Sequence, residues 1–419
     1  MKAFAGALVA AVLASAAAAQ TPYGPTDTPA PGASVCPGGL CQPQALNSVF
    51  EALARAEAGT DTAPVHILQI GDSHTAGDRI TGKLRAALQA RFGDGGRGVL
   101  PPGVPYAGYA PMQVEVTADG WTATLAPLAG NAGYVRAGVG LSGVQAITVR
   151  PGSALTVRRE TVSPAFVQIG LCGEGPGRLE VTADDEHWTV DFGAERCAIL
   201  HAGGSPREVE LRALDDVVSL HDVRLTNIAP GVELSNLGVV GATVRDLAAR
   251  DQRVVARELA AWRPALIILA FGTNEGFDDN LDPRAYEALL RGQIVRLRRL
   301  APGASLMILG APDALRNGAA NGCSADGRRS PPPSLAVVRD VQRRVAADMG
   351  VAFWDWHGRM GGDCSADRLA MQAEPFMRGD RVHFTSAGAD WIGGVLSRDL
   401  LAAYDGWKAA RAPAARGPY

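Results

Sequence analysis

The sequence has little net charge, few aromatic residues and no long apolar run after its N-terminal segment. Its 40 Lys and Arg residues are nearly balanced by 43 Asp and Glu residues, and both signs are mixed along the chain. Without a basic tract, a nucleic-acid partner is not expected. Without a second long apolar run, no membrane span is expected. A chain of 419 residues is nevertheless long enough to bury at least one large core.

The N-terminal segment has the pattern of a secretory signal peptide. Lys2 gives it a positive start, an Ala/Val/Leu run follows, and Ala17–Ala19 offers a small-residue cleavage site before Gln20. We therefore predict that residues 1–19 are removed on export, to the periplasm or to the medium. The Pro- and Gly-rich residues 20–42 are predicted to form a linker or surface arm.

The six cysteines lack the spacing of a metal site. No C-x-x-C pair is present and no Cys/His spacing matches a zinc site, so no structural metal is expected. An even number of cysteines in an exported chain favours disulfides, although sequence alone leaves their pairing open. Proximity along the chain favours the pairs Cys36–Cys41, Cys172–Cys197 and Cys323–Cys364.

Short apolar runs alternate with helical stretches at both ends of the chain. Strands are predicted at 65–73, 233–242, 265–273, 304–312 and 351–356, and helices at 43–58, 74–92, 244–262, 283–300, 334–349 and 386–410. Parallel strands need crossovers of this length. The alternation therefore predicts an α/β fold, a three-layer α/β/α doubly wound sheet of about five parallel strands.

Residues 106–230 have a different pattern. Runs that alternate apolar and polar residues recur there at short intervals, with Gly, Pro and Asp between them. This is typical of an all-β sandwich or jelly-roll. We predict a β-domain inserted between two parts of the α/β domain, 43–105 and 231–410, with a tail at 411–419.

Four short motifs lie at the carboxyl ends of predicted strands or directly before a helix. They are Gly71-Asp72-Ser73, Gly241, Gly272-Thr273-Asn274, and Asp380 with His383. A Ser at a strand-to-helix turn lies at the ligand-binding edge of an open α/β sheet, near the positive end of a helix. A Ser hydroxyl needs a base, usually His, and a carboxylate three residues earlier can orient the imidazole.

Each motif alone also has a purely structural explanation. Gly-Asp-Ser is an ordinary turn sequence, Asn274 could cap a loop, and Asp380 could cap a turn. Their common placement on one side of the predicted sheet favours a catalytic site instead. Gly241 has no Cβ to block its N–H from a reaction centre, and the amide of Asn274 could donate to an oxyanion.

In this order the motifs resemble those of the SGNH (GDSL-type) hydrolase superfamily, over roughly residues 60–100 and 233–405. The resemblance implies a flavodoxin-like fold and a serine esterase that needs no cofactor. It implies Ser73 as nucleophile, His383 as base and Asp380 as its partner, with an oxyanion hole formed by Ser73, Gly241 and Asn274. Glu275 stands where the family has Asp, so a different loop geometry is expected there.

Gly-Asp-Ser-His-Thr, Gly-Thr-Asn-Glu and a β-domain inserted after the first motif make the chain similar to bacterial peptidoglycan O-acetylesterases. Their insert is carbohydrate-binding-like. The similarity implies removal of O-acetyl groups from N-acetylmuramic acid in an acetylated polysaccharide. Two alternatives stay open, an O-acetyltransferase using the same acyl-enzyme and a non-catalytic glycan-binding protein. A monomer is expected.

Other candidate side chains are expected to have structural roles. His74 adjoins Ser73 too closely to lie along the attack line of its hydroxyl, so we reject it as the base and place it at the pocket rim. His66 is expected to pack inside a strand, whereas a pocket role stays open for His357. Trp121 and Trp188 could stack on sugar rings, but a Trp in a β-sandwich is more often part of the core.

Overall fold

A computed structural model describes residues 38–125, 138–160, 165–194, 196–318, 322–324 and 326–411. The predicted signal peptide, most of the predicted linker and nearly all of the tail lie outside these residues, as does Cys36. Among the described residues, none of the helices has both the length and the apolar character needed to cross a membrane.

The helices alternate with strands in the N-terminal and C-terminal parts of the described chain. They are α1 (Asn47–Glu57), α2 (Ser73–Ala76), α3 (Arg79–Phe92), α4 (Val244–Ala248), α5 (Gln252–Trp262), α6 (Thr273–Gly276), α7 (Pro283–Leu300), α8 (Leu335–Met349), α9 (Trp356–Met360), α10 (Ser365–Ala370) and α11 (Ser386–Arg411). A single 3-10 turn, Pro43–Leu46, precedes α1.

The strands fall into a central sheet, the sheets of the insert and a small hairpin. They are β1 (Leu40–Cys41), β2 (Val65–Gly71), β3 (Gly96–Leu100), β4 (Val114–Asp119), β5 (Trp121–Leu125), β6 (Val144–Thr148), β7 (Ala154–Arg159), β8 (Gln168–Glu174), β9 (Arg178–Ala183), β10 (Glu186–Asp191), β11 (Cys197–His201), β12 (Glu208–Ala213), β13 (Ser219–Thr226), β14 (Val232–Gly238), β15 (Leu266–Ala270), β16 (Ser305–Leu309), β17 (Arg316–Asn317), β18 (Arg329–Ser330) and β19 (Ala352–Trp354).

The central sheet has the strand order β1-β19-β16-β15-β2-β14. All of these strands except β1 run parallel, and β1 adds an antiparallel edge. Counted along the chain, the parallel strands have the order 2-1-3-4-5 of flavodoxin-like folds. The predicted doubly wound α/β sheet is therefore confirmed.

Apolar cores lie on both faces of this sheet. Side chains of α1, α3 and α11 pack on one face, around residues such as Ile67 and Ile268. Side chains of α5, α7 and α8 pack on the other face, around Leu68 and Ile267. Successive strand residues thus enter opposite cores, which explains why these strands are apolar along their whole length.

The insert is a β-sandwich, as predicted. One antiparallel sheet has the order β10-β9-β12-β7-β4, and the other has the order β11-β8-β13-β6-β5, with β3 also pairing with β13. Alternate residues of both sheets fill the core between them, among them Leu155 and Val181 from one sheet and Leu171 from the other. Trp121 and Trp188 are partly buried against this core, in agreement with a packing role.

Two of the predicted disulfides are present, Cys172–Cys197 and Cys323–Cys364. The first joins neighbouring strands β8 and β11, and the second joins the loop after β17 to the residue before α10. Cys41 is also disulfide-bonded, and its predicted partner Cys36 lies outside the described residues.

The structure differs from the predicted elements in three places. The helix predicted over 74–92 is broken between α2 and α3, where Asp78 has a positive φ of 48°. The helix predicted over 244–262 is broken before Asp251, whose carboxylate accepts from the Arg253 N–H and caps α5. Leu40–Cys41, placed in the predicted linker, form β1, a strand too short to show a period in the sequence.

Candidate active site

The first motif lies where β2 leaves the sheet. Fully buried β2 runs between β14 and β15, so it ends at the point where the strand order reverses. A Cβ on Gly71 would lie 2.5 Å from the carbonyl oxygen of Ala270, so this tight turn requires glycine. The carboxylate of Asp72 then accepts from the His74 N–H and begins α2 at Ser73.

The structure brings Ser73, His383 and Asp380 together across 310 residues of chain. Ser73 Oγ lies 2.9 Å from His383 Nε2, and His383 Nδ1 lies 2.8 Å from Asp380 Oδ2. Because a carboxylate only accepts, Nδ1 carries the proton and the lone pair of Nε2 accepts from the Ser73 hydroxyl. This is the geometry and tautomer that a serine nucleophile with a histidine base requires.

Asp380 is held in its ionised form. Burial alone would raise the pKa of its carboxyl, but the N–H groups of His383 and Val382 and the imidazole of His383 lower it below its ordinary value. The two backbone donors lie 3.0 and 2.9 Å from Asp380 Oδ1. One oxygen of Asp380 thus closes the turn, and the other orients the imidazole.

The turn that carries Asp380 and His383 is fixed to the rest of the domain by Arg381. Its φ is 58°, its carbonyl accepts from the Leu315 N–H at 3.0 Å, and its Nε donates to Asp367 Oδ1 at 3.0 Å. Asp367 lies in α10, directly after the Cys323–Cys364 disulfide. The position of the imidazole therefore depends on α10 and on the loop that the disulfide attaches to it.

The second and third motifs are joined to each other. Gly241 has a φ of 76°, a conformation that residues with a side chain rarely adopt. The adjacent Val240 lines the same cleft as Ser73. The amide of half-buried Asn274 donates to the carbonyl of Ala242 at 2.9 Å. An amide nitrogen has two N–H groups, so one can hold this turn while the other remains for a ligand.

Glu275, which stands where the family motif has Asp, makes a contact within the site. Its Oε1 accepts from the Val244 N–H at 2.8 Å, so the longer side chain joins the Asn274 loop to the first residue of α4. Its Oε2 is buried without a hydrogen-bond partner among the described residues. Burial raises the pKa of Glu275 to about 7.

His74 has a role that the sequence did not reveal. Its Nδ1 lies 3.2 Å from Asp72 Oδ1, and its Nε2 lies 2.9 Å from the carbonyl oxygen of Val382. Both partners only accept, so both ring nitrogens are protonated. Burial lowers the pKa of His74, but Asp72 and the Val382 carbonyl outweigh it and raise the pKa above its ordinary value. The buried imidazolium thus fastens the turn of His383 to the turn of Ser73.

The cleft beside Ser73 has a volume of about 540 Å³ and is also lined by Tyr106 and Met112, from the segment before β4. The hydroxyl of Tyr106 donates to the carbonyl of Ala76 at 3.1 Å. Buried Asp78 accepts from the Met112 N–H and from the guanidinium of Arg97. These contacts make the segment that leads into the sandwich a wall of the cleft, which no local motif in the sequence indicates.

One other group of side chains could hold a cation. Ligand atoms of Asp313, His357 and Asp363 lie within 4.8 Å of one another. His357 Nε2 already lies 2.9 Å from Asp363 Oδ1, and the guanidinium of Arg339 lies 3.6 Å from the same oxygen. These ion pairs account for the group, and His357 is outside the lining of the cleft around Ser73 in the described residues.

Comparison with known proteins found a matching family and a similar solved structure. Residues 214–391 match the GDSL-like lipase/acylhydrolase family; this segment holds the Gly241, Asn274 and Asp380–His383 motifs, and Ser73 lies before it, on the other side of the sandwich. A solved structure of a peptidoglycan O-acetylesterase is 26% identical with a TM-score of 0.72, over 87% of this chain and 95% of that chain.

Two further solved structures are more distant. A lipase/acylhydrolase from Enterococcus faecalis is 18% identical with a TM-score of 0.28, over 40% of this chain and 75% of that chain. A family two carbohydrate esterase from Cellvibrio japonicus is 12% identical with a TM-score of 0.22, over 56% of this chain and 85% of that chain. No curated protein matches the sequence.

Residues 214–391 thus form a segment similar to GDSL-like lipase/acylhydrolases, on a fold similar to that of a peptidoglycan O-acetylesterase, and both findings support a carboxylic ester hydrolase of the SGNH type. Its similarity to the peptidoglycan O-acetylesterase covers most of its length.

Proposed function

We propose that the protein removes O-acetyl groups from peptidoglycan through an acetyl-enzyme formed on Ser73. The observation that carries the chemistry is the continuous hydrogen-bonded series from Ser73 Oγ through His383 to Asp380, with contacts of 2.9 and 2.8 Å, beside an open cleft. The similarity to a peptidoglycan O-acetylesterase supports the substrate.

In the first half of the reaction, Ser73 Oγ attacks the acetyl carbonyl while its proton moves to His383 Nε2. The N–H groups of Ser73 and Gly241 and the second N–H of Asn274 donate to the oxyanion. The ester C–O bond then breaks, and the sugar oxygen leaves with the proton from His383. Asp380 stabilises the imidazolium between these two transfers.

In the second half, a water molecule gives a proton to His383 and attacks the acetyl-enzyme. The bond to Ser73 Oγ breaks, Ser73 regains its proton from His383, and acetate leaves. Every proton in this cycle passes through one imidazole, so its hydrogen bond to Asp380 is needed twice.

We infer in addition that the enzyme acts outside the cytoplasm. Peptidoglycan lies there, and disulfides persist in oxidising compartments. The bonds Cys172–Cys197 and Cys323–Cys364 support this location. Mass spectrometry of the protein from an expressing bacterium should find an N-terminus at Gln20 in the extracytoplasmic fraction.

The test is acetate release from O-acetylated peptidoglycan and from acetylated xylan, for the wild type and for Ser73→Ala. The wild type should release acetate faster from peptidoglycan, and Ser73→Ala should lose about a thousandfold or more in kcat, because the residual rate then comes from binding and the oxyanion hole alone. Ser330→Ala, on β18, is the matched control and should retain the wild-type rate.

Two results would reject the proposal. Equal acetate release by the wild type and Ser73→Ala would reject the nucleophile. Faster release from xylan than from peptidoglycan would reject the substrate.

A further inference from the structure

We infer that Arg378 binds a carboxylate of the glycan, so that the enzyme selects acetylated glycans that carry acidic groups; this inference rests on the proposed function. The cleft around Ser73 is lined by two arginines, Arg79 and Arg378, and by no acidic side chain among the described residues. A cleft with cationic side chains and no carboxylate is complementary to an anionic ligand.

The two arginines differ in what they already bind. The guanidinium of Arg79 forms a two-point contact with Asp390, at 2.9 and 2.7 Å, and its charge is therefore compensated. Arg378 is exposed, and within the described residues it makes no ion pair. Among the described residues that line the cleft, Arg378 alone brings a positive charge that no carboxylate compensates.

Arg378 is also held in position. Its Nε donates to the carbonyl of Phe384 at 3.0 Å, and its backbone N–H donates to the carbonyl of His383 at 2.7 Å. The side chain is thus fastened beside the imidazole, while the two terminal nitrogens of the guanidinium remain for a ligand. A guanidinium in this orientation suits a carboxylate, which it can bind through two parallel hydrogen bonds.

The position of Arg378 beside His383 limits which carboxylate it can bind. Because the guanidinium of Arg378 is hydrogen-bonded to Phe384, the residue after His383, and lines the same cleft as Ser73, the carboxylate must belong to the acetylated sugar or to a group attached to it. Muramic acid meets this condition through its lactyl group or the stem peptide on it. Xylose carries no acidic group and does not meet it.

The experiment compares glycan strands that differ only in charge. Peptide-free O-acetylated strands with free lactyl carboxylates are assayed beside the same strands after carbodiimide amidation, and beside strands with intact stem peptides. The wild type should prefer the carboxylate form over the amidated form by about tenfold in kcat/KM, the effect of one charge-assisted contact. If strands with stem peptides are preferred over amidated strands but free lactyl strands are not, the carboxylate bound is that of the peptide.

Two variants separate binding from folding. Arg378→Gln should reduce the preference to about one, and Arg378→Lys should retain part of it, because a lysine keeps the charge without the paired donors. Arg253→Gln, at a side chain that is 85% exposed on α5, is the matched control and should keep the full preference. Thermal melts of all three variants check the fold.

The outcomes are distinct. A wild type that hydrolyses amidated strands as fast as both the free lactyl strands and the strands with stem peptides, or an Arg378→Gln variant that retains the preference, would overturn the inference and leave the esterase in place. Release of acetate from none of the strands would instead reject the proposed function.

Discussion

At the scale of single residues, the two N–H groups of the Asn274 amide have different roles in the proposed reaction. One N–H holds the carbonyl of Ala242, and the other is left for the oxyanion. The carbonyl oxygen of the bound ester accepts a hydrogen bond less strongly than the oxyanion does. Loss of the second N–H should therefore raise the energy of the transition state and leave substrate binding nearly unchanged.

We predict that Asn274→Ala lowers kcat by about 10²–10³-fold with little change in KM, as expected for one lost oxyanion donor. Steady-state kinetics on p-nitrophenyl acetate measure this. Asn227→Ala is the matched control, because the Asn227 amide also donates to a backbone carbonyl, that of Asp94, but outside the cleft. A loss of kcat no larger than that of the control would show that Asn274 only holds its turn.

Glu275 should make stability depend on pH. Its pKa rises from 4.5 to about 7 on folding, so between these values the unfolded chain releases a proton that the folded chain keeps. The free energy of unfolding therefore falls as pH rises through this range, by about 3 kcal/mol in total. The Glu275→Gln side chain cannot titrate, so the free energy of unfolding of this variant should fall less over the same pH range.

Urea unfolding at pH 5 and pH 8 measures this for the wild type and Glu275→Gln. The difference between the two free energies should be smaller in the variant. Equal declines in both proteins would mean that Glu275 titrates in the folded chain as it does in the unfolded chain.

The proximity of Ser73, His383 and Asp380 could be predicted because each residue lies in a short local pattern. Ser73, Asp380 and His383 lie in turns whose composition indicates them, and the order of the turns along the chain follows the fold. His74 and Arg378 could not be assigned in this way. His74 contacts the carbonyl of a residue 308 positions away along the chain. That no carboxylate pairs with Arg378 among the described residues is evident only from the folded structure.

At the scale of elements, the Cys323–Cys364 disulfide supports the turn that carries the imidazole. It attaches a loop to the start of α10, and Asp367 of α10 binds Arg381 in the turn of His383. Loss of the bond would free a loop of 41 residues in the unfolded chain.

We predict that the double variant Cys323→Ser, Cys364→Ser is less stable by about 2–4 kcal/mol, in line with the entropy of closing such a loop. Its kcat should also fall, because the imidazole is less well positioned. Thermal melts and kinetics measure both effects. An unchanged melting temperature would contradict this role.

The element bounds show where sequence patterns suffice. The five parallel strands were predicted within a few residues, since each is an apolar run with a turn after it. The breaks at Asp78 and Asp251 were not, because they arise from side chains that satisfy buried partners rather than from helix propensity. Buried Asp78 binds Arg85 and Arg97 in the folded chain, which fixes it in a conformation that ends α2.

At the scale of the whole molecule, the sandwich and the α/β domain share buried polar contacts. The indole N–H of Trp262 in α5 donates to Asp222 in β13 at 2.6 Å, and Glu258 accepts from the Leu141 N–H at 2.6 Å. Breaking these contacts would leave buried polar groups without partners, which is costly.

We therefore predict that the chain unfolds in one cooperative transition. Differential scanning calorimetry should show one peak, and Trp262→Phe should lower its temperature without splitting it. Two resolved peaks in the wild type would show instead that the sandwich and the α/β domain unfold independently.

The sandwich enters the chain between the helix after Ser73 and the strand β14, and the segment leading into it brings Tyr106 and Met112 to the cleft. The groups proposed to break the ester and part of the wall of the cleft thus come from separate stretches of one polypeptide. Exchange of residues 101–113, the segment between β3 and β4, should then change which polymer the cleft accepts while the contacts among Ser73, His383 and Asp380 stay in place.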